Sequence, residues 1–114
     1  MQPQTVHLFV YDTLADWEPG YAVAGINNPE YQSQPGRYQV RTVGIGTGTV
    51  TTMGGMKIVP DMAASDLSPA DSAMLIIPGG GAWDADGVPE AVEKAREFLA
   101  AGVPVAAICG ATSG

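Results

Sequence analysis

Two stretches of this chain are apolar without interruption, and each runs straight into small residues. The first, SAMLIIPGGG (72–81), ends in Gly79-Gly80-Gly81. The second, VPVAAIC (103–109), ends at Cys109, with Gly110 and Ala111 behind it. A strand with one wet face alternates apolar and polar residues, whereas a strand covered on both faces does not. Between the two lies VPEAVEKAREFLAAG (88–102). Its Val88, Ala91, Val92, Ala95, Phe98 and Leu99 recur at helical spacing, and Glu90, Glu93, Lys94 and Glu97 take the opposite face. Pro89 near the start and Gly102 at the end mark the helix boundaries. Strand, helix, strand of this kind is a βαβ unit, and such units build parallel sheets covered on both faces.

The rest of the chain extends the same pattern. TVHLFVY (5–11) is a compact β-type run ending at Asp12. ADWEPGYAVAGI (15–26) predicts a helix, with Asp16 as N-cap and Pro19 in the first turn. The polar segment 27–37 is a loop. YQVRTVG (38–44) alternates as a half-buried strand does, and the Gly- and Thr-rich segment 44–61 suggests a small hairpin. DLSPAD (66–71) punctuates the chain again. The order is therefore strand, helix, strand, hairpin, strand, helix, strand, an α/β fold expected to form one domain over residues 1–114. In parallel sheets ligands gather at the carboxyl ends of the strands. Segment 12–18, Gly79-Gly80-Gly81 and Cys109 all fall there.

Composition narrows the partners. Hydrophobic residues make up 46% and charged residues 15%, as in a folded globular protein. Net charge is −7 with only five Lys and Arg, which argues against nucleic acid or an anionic membrane as partner. A single cysteine forms no internal disulfide, which points to a reducing compartment. The N-terminus lacks a basic leader, and no apolar run is long enough to span a bilayer. The expectation is a soluble cytoplasmic protein. One Cys and one His make no structural zinc cluster, so no metal is expected. Gly44-x-Gly46-x-Gly48 opens no helix and no P-loop is present, so no nucleotide cofactor is expected either.

Ala107-x-Cys109-x-Ala111, with Gly110 beside the cysteine, has the small-x-nucleophile-x-small spacing of a nucleophile elbow. A sharp strand-to-helix turn strains the nucleophile's backbone and tolerates only small neighbours. The helix start then offers free N–H groups and a positive dipole end, which favour a thiolate and an oxyanion. The alternative is a buried structural cysteine.

Taken in order, DWEPGYAV, TTMGGMKIVPD, LIIPGGG and AAICGAT resemble the corresponding segments of the DJ-1/PfpI superfamily, relatives of the class I glutamine amidotransferases. The resemblance covers residues 5 to 114. It implies a three-layer αβα sandwich with a mainly parallel, flavodoxin-like sheet, and a homodimer linked to stress response. Cys109 matches the family's reactive cysteine. Glu18 matches the glutamate that reaches the sulfur. Gly80 and Gly110 match the residues whose N–H groups form the oxyanion hole. A protonated Glu18 would donate a hydrogen bond to the thiolate and later act as general acid or base. The implied activity is hydrolase, glyoxalase-like or amidotransferase-like chemistry on a small carbonyl or amide substrate. The alternative is an oxidative-stress sensor or chaperone-like protein, in which Cys109 is oxidised to sulfenic or sulfinic acid. Without the resemblance, Glu18 reads as a first-turn acid complementing the helix dipole, and the three glycines as a tight turn.

Family members carry a histidine beyond the elbow helix, and this sequence stops before that position. The domain is expected to be truncated after the elbow, its sheet incomplete at the C-terminus. The remainder is a separate chain of the same protein after cleavage, a region outside this sequence, or absent. His7, inside the first strand, reads as a packed or edge residue rather than a base. Asp61, Asp66, Asp71, Asp84 and Asp86 read as solvated surface and caps, and Trp17 and Trp83 as core or loop packing.

Overall fold

The first strand buries four residues in a row, Val6 to Phe9, because the sheet is covered on both faces there. In the computed structural model, β1 (Gln4–Phe9) lies at the centre of a five-stranded parallel sheet. The structure describes residues 3–28, 30 and 36–108, Asp84 by its backbone alone. On one side β1 pairs with β2 (Tyr38–Gly44), Val6 facing Val40 and Phe9 facing Val43. On the other side it pairs with β6 (Met74–Ile77), Val6 facing Met74 and Leu8 facing Ile76. Beyond β6 lies β7 (Val105–Ala107), and beyond β2 lies the two-residue β5 (Met62–Ala63). The sheet order is β5-β2-β1-β6-β7. Without β5 this is the flavodoxin-like order. The remaining strands, β3 (Val50–Thr51) and β4 (Lys57–Ile58), form a separate antiparallel hairpin.

Helix α1 (Trp17–Asn27) links β1 to β2, and α2 (Pro89–Ala100) links β6 to β7. The two crossovers run outward from the sheet centre in opposite directions. Right-handed crossovers of that kind put one helix on each face. The buried apolar residues form one cluster, with Phe9, Val43, Leu75 and Phe98 fully enclosed.

The end of α2 follows from its glycine. Gly102 has φ +78°, a conformation glycine adopts without steric cost. The Gly102 N–H donates to the Leu99 carbonyl (3.1 Å) and the Val103 N–H to the Phe98 carbonyl (2.9 Å), the paired bonds of a Schellman ending. The apolar face is narrower than the spacing predicts: Phe98 is enclosed, but Leu99 is 62% exposed.

Two local expectations are corrected. Asp16 occupies the N-cap position of α1 in a helical conformation and makes no side-chain cap. Its carboxylate instead accepts the Thr52 hydroxyl and the Gly54 N–H, which hold it below the usual carboxylate range. Trp17 is 68% exposed and packs into no core. β5 has no counterpart among the predicted strands. It is set by Asp61, which accepts from the Thr42 N–H (2.8 Å) and hydroxyl while its own N–H donates to Thr42.

His7 is buried in β1, its Nδ1 sharing a hydrogen bond of 2.7 Å with Ser72 Oγ. Burial lowers its pKa below the ordinary 6.5, against the weaker pull of Asp71. The unfolded chain therefore takes up this proton at higher pH than the folded one. The stability due to neutral His7 is complete above about pH 6.5 and is lost as pH falls from there toward the folded value. The urea midpoint of the wild type should drop more between about pH 7.5 and 5.5 than that of His7→Gln; parallel slopes would remove His7 as the cause.

Candidate active site

Three strand ends converge where the strand order reverses. The chain leaves β1, goes out to β2, and returns to the other side of β1 as β6. Loops following β1 and β6 therefore diverge and leave a crevice between them, where open α/β sheets bind ligands. Here the two loops also touch. Leu14 and Gly80 face one another as an isolated antiparallel bridge. It is flanked by hydrogen bonds from the Ala15 N–H to the Gly79 carbonyl (2.8 Å) and from the Gly81 N–H to the Thr13 carbonyl (3.2 Å). In this geometry the Gly80 N–H points away from Leu14. It has no acceptor among the described residues.

Gly80 is extended, with φ 174°, so its conformation does not require glycine. Space does. A Cβ there would stand 2.5 Å from the Thr13 carbonyl oxygen and 2.7 Å from Leu14 Cα.

Glu18, the second residue of α1, folds onto the neighbouring glycine. A Cβ on Gly79 would lie 2.8 Å from both Glu18 carboxylate oxygens and 3.0 Å from the Ile108 carbonyl oxygen. The glycine thus makes room for the carboxylate, and the carboxylate sits beside the residue that precedes Cys109. Its Oε1 is shut off from solvent and has no hydrogen-bond partner among the described residues. Ile108 continues the β7 ladder, its N–H donating to the Ile77 carbonyl (3.0 Å). The structure therefore brings together Glu18, the Gly79-Gly80 turn and the end of β7. Cys109 and Gly110 lie outside the described residues.

The loop after β1 is braced from two sides. Thr13 has φ +81°, an outlier for a β-branched residue that costs on the order of 1–3 kcal/mol. Its N–H donates to the Thr51 carbonyl (2.9 Å), its carbonyl accepts from Gly81, and its hydroxyl accepts the Ala82 N–H (2.8 Å). The 81 and 82 N–H groups are thereby occupied, while that of Gly80 is left open. The hairpin adds further ties: Met53 N–H to the Leu14 carbonyl (2.8 Å), Thr51 N–H to Asp12 Oδ1 (2.9 Å), and the Asp16 contacts with Thr52 and Gly54.

Behind the turn, the Tyr11 hydroxyl donates to the Pro78 carbonyl (2.6 Å) and accepts the Trp83 indole N–H (2.8 Å). The two rings meet edge to face at 6.2 Å. Burial pushes the Tyr11 hydroxyl pKa up to about 12. Trp83 therefore belongs to loop packing, one of the two roles read for it from the sequence. Tyr11 was not anticipated as part of the site, and Thr13 only as a member of segment 12–18. Nothing local marks Thr13, whose side chain disfavours the backbone it adopts.

Among the described residues, no three His, Cys, Asp or Glu side chains gather as a metal site requires. Among them also, no helix is long and apolar enough to cross a membrane.

The DJ-1/PfpI family model matches residues 4–114. The chain is 37% identical over 115 residues to a Bacillus subtilis (strain 168) protein named "Uncharacterized protease YoaZ", covering 100% of this chain and 55% of that one. The crystal structure of a thiJ/pfpI family protein from Bacillus anthracis is similar at 38% identity and TM-score 0.80, covering 98% of this chain and 53% of that one. A DJ-1 superfamily protein from Agrobacterium tumefaciens, Atu0886, matches at 29% identity and TM-score 0.82, over 96% of this chain and 55% of its own. The chain spans about half the length of these relatives. With the fold, the two glycines of the turn and the family match all pointing one way, the chain belongs to the DJ-1/PfpI family.

Proposed function

We propose that the protein is a cysteine-dependent enzyme acting on a small carbonyl or amide substrate. The observation that supports this reading is the Glu18 carboxylate, enclosed against Gly79 beside the Ile108 carbonyl, with Oε1 unpartnered among the described residues. A buried polar atom without a partner costs about 1–3 kcal/mol, which a hydrogen bond to the next residue's sulfur would offset. In this reading Cys109 Sγ attacks the carbonyl carbon, a C–S bond forms, and the C=O π pair moves onto oxygen. The N–H groups of Gly80 and Gly110 hold that oxyanion. Glu18 keeps the thiolate in place. For an amide, the oxyanion re-forms the carbonyl and the C–N bond breaks as Glu18 passes its proton to the leaving nitrogen. Water, giving its proton back to Glu18, then cleaves the thioester to the acid and the free thiolate. The relative named a protease is in keeping with acyl transfer. Elements beyond those described, on this chain or a separate one, would supply the histidine and the far wall of the pocket, and the protein would act as a homodimer.

Alkylation of Cys109 by iodoacetamide, followed against pH, tests the central contact. The wild-type midpoint should lie well below ~8.5, and Glu18→Ala should raise it and slow the reaction at neutral pH about tenfold. A wild-type midpoint at ~8.5 would remove both residues from the reading. Turnover of methylglyoxal and small amides, compared with Cys109→Ser, then separates catalysis from sensing. Ready sulfinic acid formation under mild peroxide with no Cys109-dependent turnover would make the protein an oxidative-stress sensor.

A further inference from the structure

A second cavity opens at the carboxyl edge of the sheet and shares none of Glu18, Gly79, Gly80 or Ile108. Its volume is about 330 Å³. It is bordered by the loops after β1, β2 and β6, where α/β sheets take ligands, and its size falls at the small end of ligand sites. Ile45, Val50, Ala82 and Val88 supply apolar wall. Ile45 is 51% exposed although it follows a buried strand end, so this wall is not filled from within the described residues. The charged side chains bordering the cavity are Asp12 and Glu90, both carboxylates. Asp12 accepts one N–H, from Thr51, and neither acid is in an ion pair among the described residues. Tyr11 also borders the cavity, but its hydroxyl is committed to Pro78 and Trp83.

An apolar wall with a doubly acidic rim, on a chain of net charge −7, selects one kind of small molecule. We propose that this cavity binds a small organic cation, an ammonium or guanidinium group carried on an apolar body. The body displaces water from Ile45, Val50 and Val88, and the cation sits between Asp12 and Glu90. The positive end of α2 lies nearby and would favour an anion instead, so the sign of the preferred ligand is the decisive readout.

The test titrates phenethylamine, 2-phenylethanol and 3-phenylpropionate into the 114-residue chain and follows backbone amide resonances. Phenethylamine should shift the amides of Ile45, Val50, Ala82 and Val88 and bind at least about tenfold more tightly than the alcohol, a difference of about 1.4 kcal/mol. The double variant Asp12→Asn, Glu90→Gln should bring amine and alcohol to within about threefold while the unliganded spectrum keeps its dispersion. Asparagine retains an acceptor for the Thr51 N–H, so the loop keeps its tie. Equal binding of amine and alcohol, or tighter binding of the carboxylate, overturns the proposal. So do shifts that appear on raising protein concentration alone, which would seat a second copy of the chain in the cavity. The readout does not involve Cys109, so the proposal stands or falls apart from the catalytic reading.

Discussion

Gly80→Ala should destabilise the chain by about 3 kcal/mol, the upper end of what overpacking costs. The added methyl would stand 2.5 Å from the Thr13 carbonyl oxygen and 2.7 Å from Leu14 Cα. Both are backbone atoms, and Thr13 is pinned through its N–H, its carbonyl and its hydroxyl. The strain therefore cannot be relieved by turning a side chain. It must separate the loops after β1 and β6 and break the Leu14–Gly80 bridge. Gly79→Ala is the matched control. There the near atoms are the end of the Glu18 side chain and the Ile108 carbonyl oxygen, at 2.8 and 3.0 Å. Glu18 can swing aside and the Ile108 carbonyl need give only slightly, so that variant should lose about 1 kcal/mol, well below Gly80→Ala, while slowing Cys109 alkylation as Glu18→Ala does. Urea unfolding of both variants decides the matter. If Gly80→Ala loses no more than Gly79→Ala, the loops are not locked together as described.

Phe98→Ala should cost about 3–5 kcal/mol, a large part of the 5–15 kcal/mol available to a domain of this size. Phe98 is fully enclosed, and its carbonyl closes the end of α2 by accepting from Val103. Removing the ring opens a cavity on the face that carries the crossover from β6 to β7. At about 4 °C per kcal/mol, the melting temperature should fall by roughly 12–20 °C. Leu99→Ala, one residue on and 62% exposed, should change stability by under about 1 kcal/mol. Comparable losses for the two would mean that the helix buries a different face.

These two sites show what could be read from the residues alone. The apolar spacing of α2 and its Pro89 and Gly102 boundaries are local signals, and the helix forms where they put it. Continuous apolar runs at β6 and β7 implied a parallel sheet, and these two strands do pair in parallel beside β1. Leu99 was placed on the core face because helical spacing alone does not say how wide that face is. β5 left no trace, since a two-residue edge strand has no period to detect. It exists through the Asp61–Thr42 bonds. Asp16 looked like a cap because the rule considers only its own helix, whereas the hairpin, distant in sequence, offers better partners. Glu18 was singled out through family resemblance as a partner of Cys109, whereas its packing against Gly79, a glycine 61 positions away that leaves it room, is visible only in three dimensions.

The central position of β1 also has a bearing on synthesis. Val6 faces Val40 on one side and Met74 on the other, partners 34 positions apart. At about 5–20 residues per second, the ribosome takes roughly 2–7 s to lengthen the nascent chain from one to the other. During that interval an apolar strand with Leu8 and Phe9 keeps one edge unpaired, a template for misassociation with other nascent chains. Growth conditions that slow translation through residues 40–74 should therefore lower the soluble yield without changing the stability of the protein once folded.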